Sequence, residues 1–253
     1  MHIFQTNDGK HLFKTGISFD DITDLYSFDR ELRLLVFDAI ERIEVAIRAQ
    51  IINQLSVAHG ANWYENRDLF WHDTKFNHAD FITKIEAEIK GGTEQFIKHY
   101  SATYTDPKNP PSWMLFEILS MSTVSFLYGA LNTGEQKRNI STYFDVSDNI
   151  FISWLHSLCY VRNICAHHGR LWNRFFTIRP LLPTRKKHQF LKEVDLDTRK
   201  LYVMLCCIQY LLFTINPTSS FKTRLKELLK KHSNVPAGEM GFPKDWLTEQ
   251  IWL

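Results

Sequence analysis

The chain has 253 residues, of which 44% are hydrophobic and 23% charged, and its formal net charge is +2. These values are typical of a soluble globular domain with a sizeable core, and the charge balance alone does not indicate a nucleic-acid-binding protein. A membrane partner is not expected, because Met1–Lys14 lacks the apolar core of a signal peptide and the most apolar run, Leu201–Ile215, is shorter than the ~20 residues that span a bilayer.

Helical periodicity dominates the chain after an extended lead-in over residues 1–18. The longest amphipathic pattern repeats apolar residues at helical spacing from Asp29 to Ala58, and Gly60 is predicted to end it. Prolines and glycines separate the later patterns. In chain order, the predicted helices cover residues 19–26, 29–58, 75–90, 94–104, 112–131, 135–144, 147–169, 198–215, 220–232 and 243–252.

The sequence therefore predicts an all-α fold, a helical bundle with additional helices. We interpret residues 1–253 as a single domain, with a core at 18–215 and a C-terminal helical extension at 216–253. Nothing in the pattern indicates a parallel sheet, a Gly-rich phosphate loop or a nucleophile elbow, so nucleotide-dependent phosphotransferase and hydrolase folds are not expected. The four cysteines lie in apolar helical runs and are expected to be reduced thiols in a cytoplasmic protein.

The segment Tyr160–Arg174, with the sequence YVRNICAHHGRLWNR, concentrates residues that suit chemistry on a phosphate. On a helix, where successive residues turn by about 100°, Asn163 and His167 share one face and Arg162 lies beside them. His167 can transfer a proton near neutral pH, Arg162 can hold a phosphate and stabilise developing charge, and Asn163 can orient either partner. With the 2′-hydroxyl of RNA as the nucleophile, this set can cleave RNA without a metal ion or other cofactor.

Arg162 falls within an apolar stripe of its helix, and Glu44 falls within an apolar arc of the long first helix. A charged residue in such a position is either buried with a partner or faces another subunit. We therefore predict that Glu44 and Arg162 pair across the bundle, with Arg48 as a further supporting residue. The competing interpretation is an i,i+4 ion pair between Glu44 and Arg48 within one helix.

The spacing of arginine and histidine is by itself a weak signal for catalysis. The same spacing occurs at Arg67 and His72, and its usual meaning is an ordinary helix with a buried ion pair and polar surface residues. The thiols and imidazoles of the segment also lack a second ligand pair elsewhere in the chain, so no zinc site is predicted.

Basic residues that follow the segment are candidates for contact with RNA phosphates. A solvated basic loop explains them equally well, so both interpretations stay open. The candidates are Arg170, Arg174, Arg185, Lys186 and Lys187. The basic helix at 220–232 is more typical of a solvated face, and the aromatic residues Trp63, Tyr64, Phe70 and Trp71 are more typical of packing over the bundle end than of base stacking.

The sequence RNICAHHGRLWNR closely resembles the signature of bacterial abortive-infection (Abi) proteins of the Abi_2 type, which are AbiD/AbiF-like. Two other stretches resemble the same family in the expected order, FDRELRLLVFDAIERIEVAIRAQI at 28–51 and PPSWMLFEILSMSTVSFLYGAL at 110–131. The resemblance covers residues 18–215, which is most of the chain.

This family is placed in the HEPN superfamily, whose hallmark is an arginine, a polar residue and, after a few variable positions, a histidine. Here Arg162, Asn163 and His167 fill those positions, and His168 is placed to share or replace the role of His167. The resemblance implies a symmetric homodimer that brings two motifs to one RNA cleft, and a role in phage defence or toxin–antitoxin-like growth arrest. Together with the chemistry of the motif it predicts a metal-independent endoribonuclease toxin, and a protein or RNA antitoxin is expected because an unrestrained ribonuclease would poison its host. The alternatives are a non-catalytic HEPN module that binds RNA or a partner, and a purely structural helical dimer.

Overall fold

A computed structural model describes residues 4–5, 12–71, 76–183, 190–191 and 196–253 of the chain. Within these ranges the fold is all-α, as predicted. The nine α-helices of the described residues are α1 Phe19–His59, α2 His78–Gly91, α3 Gln95–Thr103, α4 Ser112–Ile118, α5 Met121–Ala130, α6 Glu135–Tyr143, α7 Asp148–Ala166, α8 Leu201–Ile215 and α9 Phe221–Lys231. The helix predicted at 243–252 is instead a pair of short 3-10 turns, Trp246–Thr248 and Gln250–Trp252.

The first helix is a single element of 41 residues rather than the two helices that were predicted. Neither glycine nor proline interrupts the run, and Phe28, which lies at the predicted break, is fully buried in the core. The helix begins with a capping box, in which Ser18 Oγ accepts the Asp21 N–H at 3.2 Å and Asp21 Oδ2 accepts the Ser18 N–H at 2.8 Å. It ends at the predicted stop, Gly60, whose φ of 86° favours glycine.

Helix α1 runs through the middle of the bundle and packs against every helix from α4 to α9. Helix α7 packs against α5, α6 and α8, so the segment that carries Arg162 is held on several sides. Helix α8 is almost wholly buried, which confirms the core helix predicted from its apolar run. In the described part of the chain, no helix is long and apolar enough to cross a membrane.

The helix predicted over residues 112–131 is two helices, broken at Leu119 and Ser120. Ser120 caps α5, because its Oγ accepts the Thr123 N–H at 3.1 Å. Arg48, on α1, reaches the end of α4 and donates to the carbonyl oxygens of Phe116 and Leu119. The distance from Arg48 Nη2 to the Leu119 oxygen is 2.9 Å. A side chain from a distant part of the sequence thus stabilises the break.

The aromatic residues after α1 pack over the end of the bundle, as their setting predicts. Trp63, Tyr64 and Phe70 are almost fully buried, whereas Trp71 is about half exposed. Burial removes the first three from contact with unpaired bases.

The basic helix α9 uses part of its charge to hold the C-terminal region against α1. Arg224 Nη1 lies 2.8 Å from Asp38 Oδ2, and Lys231 Nζ lies 2.6 Å from Glu31 Oε1, with both carboxylates on α1. These pairs favour a structural role for the two cations over a role in RNA contact.

Gly241 and Gly129 differ in whether the backbone and its surroundings can accept a Cβ atom. Gly241 has a φ of 88°, and a Cβ added there would lie 2.6 Å from Lys200 Cβ, whereas a Cβ at Gly129, inside α5, would meet nothing within 4 Å. We expect Gly241→Ala to lower the free energy of unfolding by about 1–3 kcal/mol. We expect Gly129→Ala to raise it by about 0.5–1 kcal/mol, because alanine favours the helix. Urea denaturation measures both, and shifts of the same sign would contradict this account.

Candidate active site

Helix α7 ends at Ala166, three residues before the predicted end at Gly169. The Gly169 N–H donates to the Ile164 carbonyl oxygen at 2.8 Å, and the His168 N–H donates to the Cys165 carbonyl oxygen at 3.1 Å. This is the hydrogen-bond pattern of a Schellman motif, which ends a helix by satisfying its last carbonyl groups.

The turn directs the two neighbouring histidines differently. His167 is the C-cap residue of α7, and its N–H donates to the Asn163 carbonyl oxygen at 3.0 Å, so the predicted i,i+4 relation is kept. His168 has a left-handed φ of 56°, a conformation that glycine usually occupies at this position of the motif. Both histidines are exposed and therefore accessible to a ligand or to a second chain.

Arg162 is held from three directions. Its Nε lies 4.0 Å from Glu44 Oε2, which confirms the predicted pair across the bundle. Its Nη1 donates weakly to Asn163 Oδ1 at 3.4 Å, and its guanidinium carbon lies 5.7 Å from the centre of the Phe37 ring. The side chain is nevertheless 37% exposed, so part of the guanidinium can reach a ligand in solvent.

Glu44 is shared between two arginines. Its Oε1 accepts a hydrogen bond from Arg48 Nη2, while its Oε2 faces Arg162. The i,i+4 pair that competed with the long-range pair is therefore present beside it. Arg48 also donates to carbonyl oxygens at the end of α4, so its side chain is fixed. Arg48 therefore orients Glu44, and Glu44 in turn orients Arg162.

A buried carboxylate that the sequence analysis missed fixes the turn after α7. Asp29 Oδ1 accepts the N–H groups of Leu171 and Trp172 at 2.9 and 2.7 Å, and Asp29 Oδ2 pairs with Arg33 one turn along α1. All four residues are buried. Hydrogen bonds to a charged acceptor are strong in such surroundings, so Asp29 anchors the end of the motif segment to α1.

A groove of about 480 Å³ lies between the N-terminal half of α1 and the end of α7, and we call it the α1–α7 groove. Tyr26, Arg30 and Phe37 line it from α1, and His168 lines it from the turn after α7. Phe37 also borders the motif, because the Arg162 guanidinium lies over its ring. The sequence analysis did not predict Tyr26 and Arg30, because both lie on the exposed face of α1 and the apolar pattern does not distinguish them from other surface residues.

The two cysteines nearest the motif are protonated thiols at neutral pH. Burial raises the pKa of Cys159 to about 11 and that of Cys165 to about 12. All four cysteines are buried and free of disulfides. Among the described residues, no group of three or more His, Cys, Asp and Glu side chains is arranged to hold a metal ion. The reactive groups of the motif that reach solvent are a partly exposed guanidinium and amide and two exposed imidazoles.

The predicted RNA-binding residues differ in how available they are. Arg170 is exposed, whereas Arg174 is half-buried and its Nη1 donates to the Arg170 carbonyl oxygen at 3.3 Å. Arg185, Lys186 and Lys187 lie outside the described residues. Arg170 is thus the exposed cation of this group that the structure places next to the motif.

Comparison with known proteins supports one family. A family model described as Abi-like protein (Abi_2) matches residues 1–173, a stretch that includes helices α1 to α7 and the motif. No curated protein and no solved structure matches the chain.

Removing the Asp29 carboxylate is expected to destabilise the protein strongly. Asp29→Ala leaves Arg33 buried without a counter-charge and two backbone N–H groups without an acceptor, so we expect a loss of about 3–5 kcal/mol in the free energy of unfolding. Asp38→Ala is the matched control on the same helix, because its carboxylate is more exposed, and we expect it to cost about 1 kcal/mol or less. Urea denaturation measures both, and equal losses would show that Asp29 is no special anchor.

Proposed function

The chain belongs to the family of Abi-like proteins, and this membership indicates a function in abortive infection. From this premise we propose that it is a metal-independent endoribonuclease toxin that acts on RNA in phage-infected cells. We also propose that it is a member of the HEPN superfamily and AbiD/AbiF-like, because Arg162, Asn163 and His167 occupy the motif positions of that superfamily.

The observation that carries the proposal is the joint placement of these three residues at the exposed end of α7. His167 is exposed and caps the helix over Asn163, and Arg162 is oriented by Glu44 while part of its guanidinium faces solvent. An imidazole buried inside the bundle would have been incompatible with catalysis. The arrangement instead leaves a cation and a proton-transfer group both accessible to solvent near the end of α7.

Each group has a defined role in the proposed reaction. The 2′-oxygen of a ribose attacks the adjacent phosphorus while the bond from phosphorus to the 5′-oxygen of the next nucleotide breaks. The products are a 2′,3′-cyclic phosphate and a 5′-hydroxyl. Arg162 holds the phosphate and stabilises its developing charge, His167 transfers a proton, and Asn163 orients them.

The reaction moves two protons, one from the 2′-hydroxyl and one to the leaving 5′-oxygen. We therefore propose a symmetric homodimer in which His167 of each chain serves one of these transfers. Val45 provides an exposed apolar side chain on α1 for such contact. His168 is turned toward the α1–α7 groove, so we assign the proton transfers to His167, and a protein or RNA antitoxin is the expected restraint in the cytoplasm.

Replacement of His167 is expected to abolish cleavage with the fold intact. We predict that the purified wild-type protein cleaves labelled single-stranded or structured RNA in EDTA and leaves 2′,3′-cyclic phosphate ends. His167→Ala should lower the rate by about 10²–10⁴-fold, because a positioned acid or base contributes that much. His156→Ala is the matched control, since it removes another exposed histidine of α7 outside the motif and should leave the rate within about twofold.

Three outcomes of this assay separate the possible functions. Wild-type cleavage that His167→Ala loses and His156→Ala retains supports the enzyme. RNA binding without cleavage by the wild-type protein contradicts it and favours a non-catalytic module. Cleavage that disappears in EDTA and returns with a divalent cation contradicts the metal-independent mechanism.

A charge at Val45 on α1 is expected to separate the dimer. We predict that Val45→Arg raises the dimer dissociation constant at least about tenfold, because a charged side chain would have to lose its water at the contact, and that cleavage falls in parallel. Val57→Arg is the control on the same helix, turned by about 120° from Val45 and also exposed. Light scattering at several protein concentrations reports the masses. A monomeric wild-type protein that cleaves RNA would rule out the composite site.

A further inference from the structure

We propose that the α1–α7 groove binds an unpaired nucleotide of RNA beside the scissile phosphate. The proposal rests on the proposed function for the placement of that phosphate at Arg162 and His167. The groove itself is argued from its own position, charge and aromatic surface.

The groove begins where the motif ends. Phe37 lines the groove and also lies under the Arg162 guanidinium, so one ring forms the boundary between them. His168 lines the opposite side, because its left-handed backbone directs it away from the helical path of α7. An RNA strand with its phosphate at Arg162 would therefore place a neighbouring nucleotide at the groove.

The charge of the groove favours an anion. Arg33 is neutralised by Asp29, but Arg30 is exposed and makes no ion pair among the described residues. The carboxylate on the other side of Arg30 along α1, Glu31, is paired with Lys231. Arg30 is therefore the available cation of the groove, at a position that suits the phosphate of the bound nucleotide.

The aromatic side chains favour a base. Tyr26 is 68% exposed at the groove although it carries a large apolar ring, and Phe37 adds a second ring further in. A base stacks on such rings only when its own faces are open, which is the case in single-stranded loops and ends and not inside a duplex. The volume of about 480 Å³ lies in the range of sites for small ligands.

Binding of an uncleavable RNA tests the groove separately from catalysis. The probes are fluorescently labelled 2′-O-methyl hexanucleotides of each base, which lack the attacking hydroxyl, and the readout is anisotropy at several salt concentrations. Tyr26→Ala should weaken binding about tenfold through lost stacking. Arg30→Gln should weaken it and also reduce the slope of log K against log[salt] by about 0.7, the value for one phosphate contact to a single strand.

Matched control variants keep the comparison specific. Arg42→Gln removes an exposed arginine of the same helix, turned by about 120° from Arg30 and paired with Asp38. Tyr104→Ala removes an exposed tyrosine at the end of α3. Both controls should stay within twofold of the wild-type affinity and keep its salt slope. Tyr26 and Arg30 are exposed, so their replacement leaves the core unchanged.

The results distinguish failure of the groove from failure of the ribonuclease. If the wild-type protein cleaves RNA and both groove variants bind and cleave as the controls do, the groove proposal is overturned and the enzyme stands. If binding is lost only in the groove variants and the wild-type protein never cleaves, the groove is supported and the enzyme is not. If the wild-type protein neither binds nor cleaves RNA, the groove proposal and the ribonuclease proposal are both overturned, and a protein becomes the candidate ligand of the groove.

Discussion

The Asp29 carboxylate is the constraint on which the candidate site depends. It lies on the central helix and accepts two backbone N–H groups from Leu171 and Trp172, 142 and 143 residues further along the chain. Between these residues and the end of α7 lie only His167, His168, Gly169 and Arg170, so the turn has little freedom once both ends are fixed. The buried pair with Arg33 offsets the charge that this acceptor brings into the core. The geometry of the turn is thus set by α1 and not by the turn alone.

The same side of α1 organises the rest of the site. Asp29, Arg33, Phe37, Glu44 and Arg48 fall within an arc of about 100° on the helix. The first two hold the turn after α7, the third borders both the motif and the groove, and the last two orient Arg162 and the end of α4. A helix whose buried face were wholly apolar could pack the bundle equally well. The polar members are what give α7 a fixed register and a fixed end relative to α1.

The sequence predicted features that show as an apolar run or as two opposite charges on apolar faces. It did not predict features that depend on hydrogen bonds to a backbone group far away in the chain. The core helix α8 follows from its apolar run, and the Glu44–Arg162 pair follows from two charges that each interrupt an apolar face. Asp29 is also a charged residue on an apolar face of α1. Its partners after α7 are backbone N–H groups, however, and a sequence does not show which of these groups will be bound. The break after α4 was missed for a related reason, because Arg48 satisfies the carbonyl groups there from another helix.

The side chains of His167 and His168 point in different directions because the backbone turns between them. A continuous helix would separate His167 and His168 by about 100° and leave both beside α7. The Schellman motif instead ends the helix at Ala166 and places His168 in the left-handed region, where it lines the groove with Tyr26 and Arg30. Glycine would adopt this φ with less strain, since the left-handed region costs an L-residue roughly 1–2 kcal/mol. Histidine is among the non-glycine residues that are enriched at positive φ, so the turn accommodates it and presents its imidazole to the groove.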